Sequence, residues 1–271
     1  MPDLQPLIQL PWGRLALLFL CIYIFFVALA FLYADKILFP APTPPACLEK
    51  EVDFFVSTES GIRIACARRI PQAPKGPVIL YSHGNGEDLG HTFAFLDEVA
   101  DKGFEIIAYD YPGYGVSGGE PAEEGCYEAI EAVYRHMTGE LSIDPSNVVL
   151  WGRSLGTGPS CHLAATSRVA GILLETPFLS AFRTLTEIPV LPWDRFRNLE
   201  KIPDIHCPSL VVHGNLDEVI PFRHGKKVHE LLPEPKSFLE VDGARHNDLR
   251  YKGGARYEEV VGDFLDRFIR G

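Results

Sequence analysis

The stretch Val148-Val149-Leu150-Trp151-Gly152-Arg153-Ser154-Leu155-Gly156-Thr157-Gly158-Pro159-Ser160-Cys161-His162-Leu163-Ala164-Ala165 decides the reading of this chain. An apolar run led by two valines reads as a buried strand, the segment from Thr157 reads as a helix, and Ser154 falls on the turn between them. Glycines stand two places before and two places after that serine, as G-x-S-x-G. A strand that reverses into a helix so sharply leaves no room for side chains at those two places, and the strain lifts the hydroxyl above the sheet. The helix end beneath it offers free N–H groups and a positive dipole end where an alkoxide or oxyanion would form.

A serine hydroxyl is too weakly acidic to attack a carbonyl unaided, so this reading requires a histidine base and an acid that fixes its tautomer. His246 follows the last predicted strand and precedes the final helix, in Asp242-Gly243-Ala244-Arg245-His246-Asn247-Asp248. The strand Ser209–Val212 feeds into His213-Gly214-Asn215-Leu216-Asp217, which puts Asp217 at its carboxyl end, with Glu218 and Asp242 as alternative acids. The order Ser154, Asp217, His246 is the one an open sheet with a strand-to-helix elbow requires. The backbone N–H of Leu155 is the first oxyanion donor, and Asn85, in His83-Gly84-Asn85-Gly86-Glu87-Asp88 after Val78–Ser82, supplies the second. His83 precedes a glycine and is expected to shape the turn rather than react.

Outward from these motifs, apolar runs at Val78–Tyr81, Glu105–Asp110, Val148–Trp151, Gly171–Leu174, Ser209–Val212 and Ser237–Val241 alternate with helix-length segments. That rhythm implies a mainly parallel sheet with helices on both faces. Val52–Thr58 and Ile62–Arg68 precede it as an antiparallel hairpin. Cys126, Ala129, Ile130, Val133, Tyr134 and Met137 mark one amphipathic helix, and Tyr257, Val260, Val261, Phe264, Leu265 and Phe268 another. Residues 176–206 are rich in Phe, Leu, Trp and Pro and lack a long helical period, which makes them a candidate lid. There Phe178, Phe182, Leu185, Leu191, Trp193 and Phe196 either line an acyl pocket or bury the lid on the domain.

Other chemistries fit poorly. Gly113-Tyr114-Gly115-Val116-Ser117-Gly118 matches G-x-G-x-x-G, but Pro112 and Pro121 flank it and no helix follows at once, so no cofactor of the dinucleotide type is expected. His224 and His229 stand five apart, on different helix faces, and no metal is expected. Of 271 residues, 25 are Lys or Arg against 36 Asp or Glu, a net charge of −11 that repels a phosphate backbone, so nucleic acid is not an expected partner. The six cysteines form no C-x-x-C pair.

Leu15 to Tyr33 is a run of 19 uncharged residues, enough to cross a bilayer core, flanked by Trp12 and Arg14 on one side and Asp35 and Lys36 on the other. Residues 1–37 therefore read as an uncleaved single-pass membrane anchor; Ala28-Leu29-Ala30 keeps a cleavable signal peptide as the rival. Pro40-Ala41-Pro42-Thr43-Pro44-Pro45 makes 38–47 a stiff, extended linker, leaving 48–271 as the catalytic domain.

Across Leu38 to Arg270 the chain resembles the α/β-hydrolase superfamily, and within it the membrane-anchored, depalmitoylase-like and serine aminopeptidase-like branch. The resemblance is carried by HGN at His83–Asn85 with Asp88-Leu89-Gly90, DYPGYGVSGG at Asp110–Gly119, GRSLGTGP at Gly152–Pro159, HGNLDEVIP at His213–Pro221 and GARHND at Gly243–Asp248. It implies an eight-stranded, mostly parallel sheet with helices on both faces and a short lid. It also implies the roles already assigned to Ser154, Asp217, His246, Asn85 and Leu155. Where the depalmitoylase branch carries a cysteine-rich N-terminus, this chain has a hydrophobic span. The expected function is a membrane-tethered serine hydrolase cleaving carboxylic esters or thioesters of a small-molecule or lipid-like acyl substrate through an acyl-enzyme, without cofactor. Amide cleavage of the aminopeptidase type is the alternative, for which Glu87, Asp88 and Glu218 near the mouth would attract a substrate amine. A noncatalytic membrane-attached binding protein of the same fold is the alternative of a different class.

Overall fold

A computed structural model of the chain describes residues 11–186 and 190–268. Residues 1–10 of the expected anchor and 187–189 of the expected lid lie outside the described residues. The chain divides into two compact units, one ending at Leu38 and the other beginning at Phe39. The described residues of the first form the helix α1 (Pro11–Leu38). Its stretch Trp12–Leu38 is long and apolar enough to cross a membrane, and its large side chains, Phe19, Phe25, Phe26 and Phe31 among them, are exposed.

The second unit is built on an eight-stranded sheet in the order β1-β2-β4-β3-β5-β6-β7-β8. Its strands are β1 (Phe54–Ser57), β2 (Arg63–Arg69), β3 (Val78–Ser82), β4 (Glu105–Tyr109), β5 (Val148–Arg153), β6 (Gly171–Glu175), β7 (Ser209–Gly214) and β8 (Lys236–Val241). β1 and β2 form the antiparallel hairpin and β2 also runs antiparallel to β4; the pairings from β4 through β8 are parallel. Parallel strands covered on both faces lose the polar alternation of surface strands, which is why β3 and β6 are buried along their whole length.

The pleat sends Ile79, Tyr81, Val149, Trp151, Leu210 and Val212 to one face, where α2 (Leu89–Asp101) and α7 (Leu249–Asp266) cover them with Leu96, Val99, Tyr257, Val261 and Phe264. The helices α3 (Glu123–Thr138) and α4 (Thr157–Thr166) pack on each other. Buried on α3 are Cys126, Ala129, Ile130, Val133 and Met137 of the stripe read from the sequence, whereas Tyr134 of that stripe is half-buried. The remaining helices are the short α5 (Asn198–Lys201) and α6 (Arg223–Leu231). In α7 the backbone breaks from helical geometry at Gly254 (φ 47°, ψ −135°), just ahead of the apolar stripe that begins at Tyr257.

β3 neighbours both β4 and β5. The strand order reverses there, which opens a crevice outside the carboxyl ends of β3 and β5, the natural place for a ligand in such a sheet.

The Pro-rich segment expected to be a spacer lies against this second unit at both ends. Phe39 is buried, its ring centroid 6.0 Å from that of Phe196, and Cys47 is fully buried. The N–H groups of Ala46 and Cys47 donate to Asp88 Oδ2 at 2.6 and 3.4 Å. Prolines stiffen the segment without freeing it, because the apolar residues flanking them have a core to enter.

In the expected lid, the six large apolar residues divide between the two roles the sequence allowed. Phe178 and Phe196 are buried, edge to face at 6.2 Å, and fasten the segment to the domain. Phe182, Leu185, Leu191 and Trp193 line a cavity of about 320 Å³ together with Arg183 and Asp194.

Candidate active site

Ser154 sits directly after β5 with φ 52°, the left-handed region that a side-chain-bearing residue enters only under strain. The strain is enforced by packing. A Cβ on Gly152 would lie 2.6 Å from the carbonyl oxygen of Gly156, and one on Gly156 would overlap the carbonyl of Ser82 in β3. The turn continues as a short 3₁₀ segment, Ser154–Gly156, into α4.

The loops after β7 and β8 bring the other two residues to this point. Ser154 Oγ lies 3.0 Å from His246 Nε2, and His246 Nδ1 lies 2.8 Å from Asp217 Oδ2. With Nδ1–H donating to the carboxylate, Nε2 is left as the acceptor for the serine hydroxyl. Asp217 Oδ1 accepts from the N–H groups of Val219 (2.9 Å) and Ile220 (2.8 Å). Burial would raise the Asp217 carboxyl, but hydrogen bonds from His213 and His246, the charge of His246 and the Ile220 N–H together hold it well below the usual carboxylate range. His213 Nε2 donates to Ile220 O at 2.9 Å and stands 3.4 Å from Asp217 Oδ2, closing the acid loop on itself. All three residues are buried.

The alternative acids are turned to other work. Asp242 Oδ1 accepts from Asn215 Nδ2 at 2.7 Å, and the Glu218 carboxylate faces the backbone N–H of His246 at 3.4 Å instead of its ring. The acids expected to attract a substrate amine are also engaged. Asp88 is fully buried as the N-cap of α2, and Glu87 forms an ion pair with Arg153. Burial would raise the Glu87 carboxyl, but the charges of Arg153 and His83 hold it low.

Asn85 lies in the loop between β3 and α2, and Leu155 directly follows the serine. Two tyrosines that sequence reasoning did not single out hold that loop from below. Tyr111 Oη donates to His83 O at 2.6 Å, and Tyr114 Oη donates to Asn85 O at 2.8 Å. Both lie in the Asp110–Gly119 motif, which gave them no role of their own and which here is a loop after β4 with Gly113 and Gly115 at positive φ. His83 is buried, donates through Nδ1 to Gly84 O at 2.8 Å and stands 3.3 Å from Asp110 through Nε2, which gives it a structural place. His224 accepts from the Leu179 N–H at 3.2 Å, and burial, with Arg223 adding to it, pushes its pKa down to about 4.

A cleft of about 290 Å³ adjoins the base, lined by His246, Asn247, Arg153, Glu87, Phe95 and Tyr251 among others.

Comparison with known proteins points the same way. Residues 77–199 match a family model described as alpha/beta hydrolase fold. The chain is 35% identical over 81% of its length to the alpha/beta hydrolase domain-containing protein aho-3 of Caenorhabditis elegans, covering 66% of that protein. It is 37% identical over 79% of its length to human alpha/beta hydrolase domain-containing protein 17B, covering 72% of it. The chain thus spans between about two thirds and three quarters of these relatives. Among solved structures, an esterase of Pyrococcus furiosus superposes with a TM-score of 0.67 at 14% identity, over 80% of this chain and 92% of that one, a likeness of fold.

Proposed function

The chain belongs to the α/β-hydrolase superfamily, in the branch of the domain-containing 17 and aho-3 proteins, and from that premise we propose that it is a serine hydrolase cleaving carboxylic esters or thioesters through an acyl-enzyme. The observation that carries this reading is the continuous hydrogen-bonded line from Ser154 Oγ through the two ring nitrogens of His246 to Asp217 Oδ2, at 3.0 and 2.8 Å. In this reading Ser154 Oγ attacks the acyl carbon while His246 Nε2 takes the hydroxyl proton. The oxyanion of the tetrahedral intermediate accepts from the N–H groups of Asn85 and Leu155. Collapse breaks the bond to the alcohol or thiol, which leaves with the proton from His246, and water repeats the cycle to release the acid. Asp217 keeps the imidazole in the right tautomer and balances its transient charge.

Ester or thioester over amide is supported by the engagement of Glu87 and Asp88 within the protein, which leaves Glu218 as the one exposed carboxylate of the three that would draw in a substrate amine. Attachment to a membrane through α1 is supported by its length and apolar composition.

A fluorophosphonate probe tests the serine directly. Wild-type chain labels and Ser154→Ala does not; equal labelling of both would sink the proposal. Turnover of p-nitrophenyl esters of rising chain length beside aminoacyl amides tests the bond type, and faster amide turnover would reverse the assignment.

A further inference from the structure

On the reading that Ser154 and His246 carry the reaction, we propose that Arg153 is a positioning residue whose guanidinium ties the nucleophile turn, the oxyanion loop and the histidine loop into one unit. Arg153 is the variable residue before the serine in G-x-S-x-G, at the last place of β5. Its side chain is 18% exposed and lines the cleft beside His246. Nη1 donates to the Glu87 carboxylate, and the other Glu87 oxygen accepts from the Gly84 N–H at 3.1 Å, one residue before Asn85. Nη2 donates to Asn247 Oδ1 at 2.9 Å, one residue after His246. Glycine at 84 leaves space for this arrangement, because a Cβ there would come 3.3 Å from Nη1.

These links span 66 and 94 residues of sequence and converge on the neighbour of the nucleophile. A planar fork of donors is suited to such a junction, because its two Nη atoms stand apart and reach the two arms at once, whereas an ammonium would have to serve both from one nitrogen. The other ties of the loop bearing His246 run to the acid side, from the Gly243 N–H to Asn215 Oδ1 at 2.9 Å and from His246 Nδ1 to Asp217, so Arg153 links it to the side of the serine. Reacting groups displaced by about 1 Å lose up to about 10²-fold in rate, so a tie on both sides of the serine has catalytic weight without touching substrate.

The test uses the full-length chain in detergent, with kcat and KM on a p-nitrophenyl ester, the rate of fluorophosphonate labelling, and the thermal midpoint. Arg153→Ala lowers kcat and labelling by about 10- to 100-fold with KM nearly unchanged. Arg153→Lys recovers part of the loss, and added guanidinium ion at millimolar concentration restores activity to Arg153→Ala without raising its midpoint. Asn247 is exposed, so Asn247→Ala folds normally and loses several-fold in kcat. The double variant is no slower than Arg153→Ala alone, because both cut the same link. Wild-type kcat in Arg153→Ala, or losses that multiply in the double variant, would overturn the proposal. If Arg153→Ala does not fold, unchanged kcat in Asn247→Ala overturns it. Absence of labelling in the wild-type chain brings down the serine-hydrolase reading and this one with it, whereas equal labelling of wild type and Arg153→Ala brings down this one alone.

Discussion

The two halves of the candidate site are made of different materials. Around Ser154 the geometry is steric: a residue held at φ 52° between two glycines whose missing side chains let β3, β5 and α4 close on one another. Around Asp217 and His246 it is polar: loops from β7 and β8 fixed by a carboxylate that accepts from two backbone N–H groups and an imidazole. The steric half tolerates no added atom but is indifferent to protons. The polar half tolerates small shape changes but depends on every charge and donor being present.

Substitutions can set the halves against each other. The largest loss of turnover is expected from Ser154→Ala, which removes the proposed nucleophile, and then from Asp217→Asn, which presents the wrong partner to the imidazole; kcat should fall by about 10⁶-fold in the first and about 10⁴-fold in the second. Asp217→Asn should still react slowly with a fluorophosphonate while Ser154→Ala does not. A variant at 217 with kcat within tenfold of wild type would show that the polar half is not built as described. Gly156→Ala is expected to act on stability first, lowering it by about 3 to 5 kcal/mol because the methyl meets the Ser82 carbonyl; an unchanged denaturation midpoint would refute the steric account. Tyr114→Phe leaves the Asn85 carbonyl without its donor and should cost about 1 kcal/mol of stability, with a several-fold loss in kcat/KM as the Asn85 loop loosens.

The smallest effect concerns protons. Because the Asp217 carboxyl lies below its unfolded value of about 3.9, the stabilisation it provides is present above about pH 4 and is lost as pH falls further. The gap in thermal midpoint between wild type and Asp217→Asn should therefore narrow only below about pH 4. Above it Asp217 stays ionised, so the acid limb of the rate should fit the uptake of a single proton. A limb requiring two protons would contradict the low position of this carboxyl.

Much of this was legible in the linear sequence. Strands buried on both faces appear as unbroken apolar runs, so β3 to β7 could be marked, while the edge strand β8 is only partly buried; the elbow glycines and the order Ser154, Asp217, His246 follow from the geometry of an open parallel sheet. The polar ties were not legible. Arg153, Glu87 and Asn247, like Tyr114 and Asn85, meet across long sequence separations, and a charged residue in a loop reads the same whether it is solvated or clasped. For the same reason Glu87 and Asp88 read as mouth residues, although one pairs with Arg153 and the other is buried beneath Ala46 and Cys47. The lid residues read alike as apolar, and only packing separated Phe178 and Phe196 from those lining the cavity.

The strip from Phe39 to Cys47 bears on how a soluble fragment should be cut. Trimming at Leu48, where the proline pattern ends, would strand the Asp88 carboxylate without two of its donors and expose the surfaces that Phe39 and Cys47 fill. A recombinant domain starting at Phe39 keeps those plugs in place, and the shorter one should express as the more aggregation-prone product.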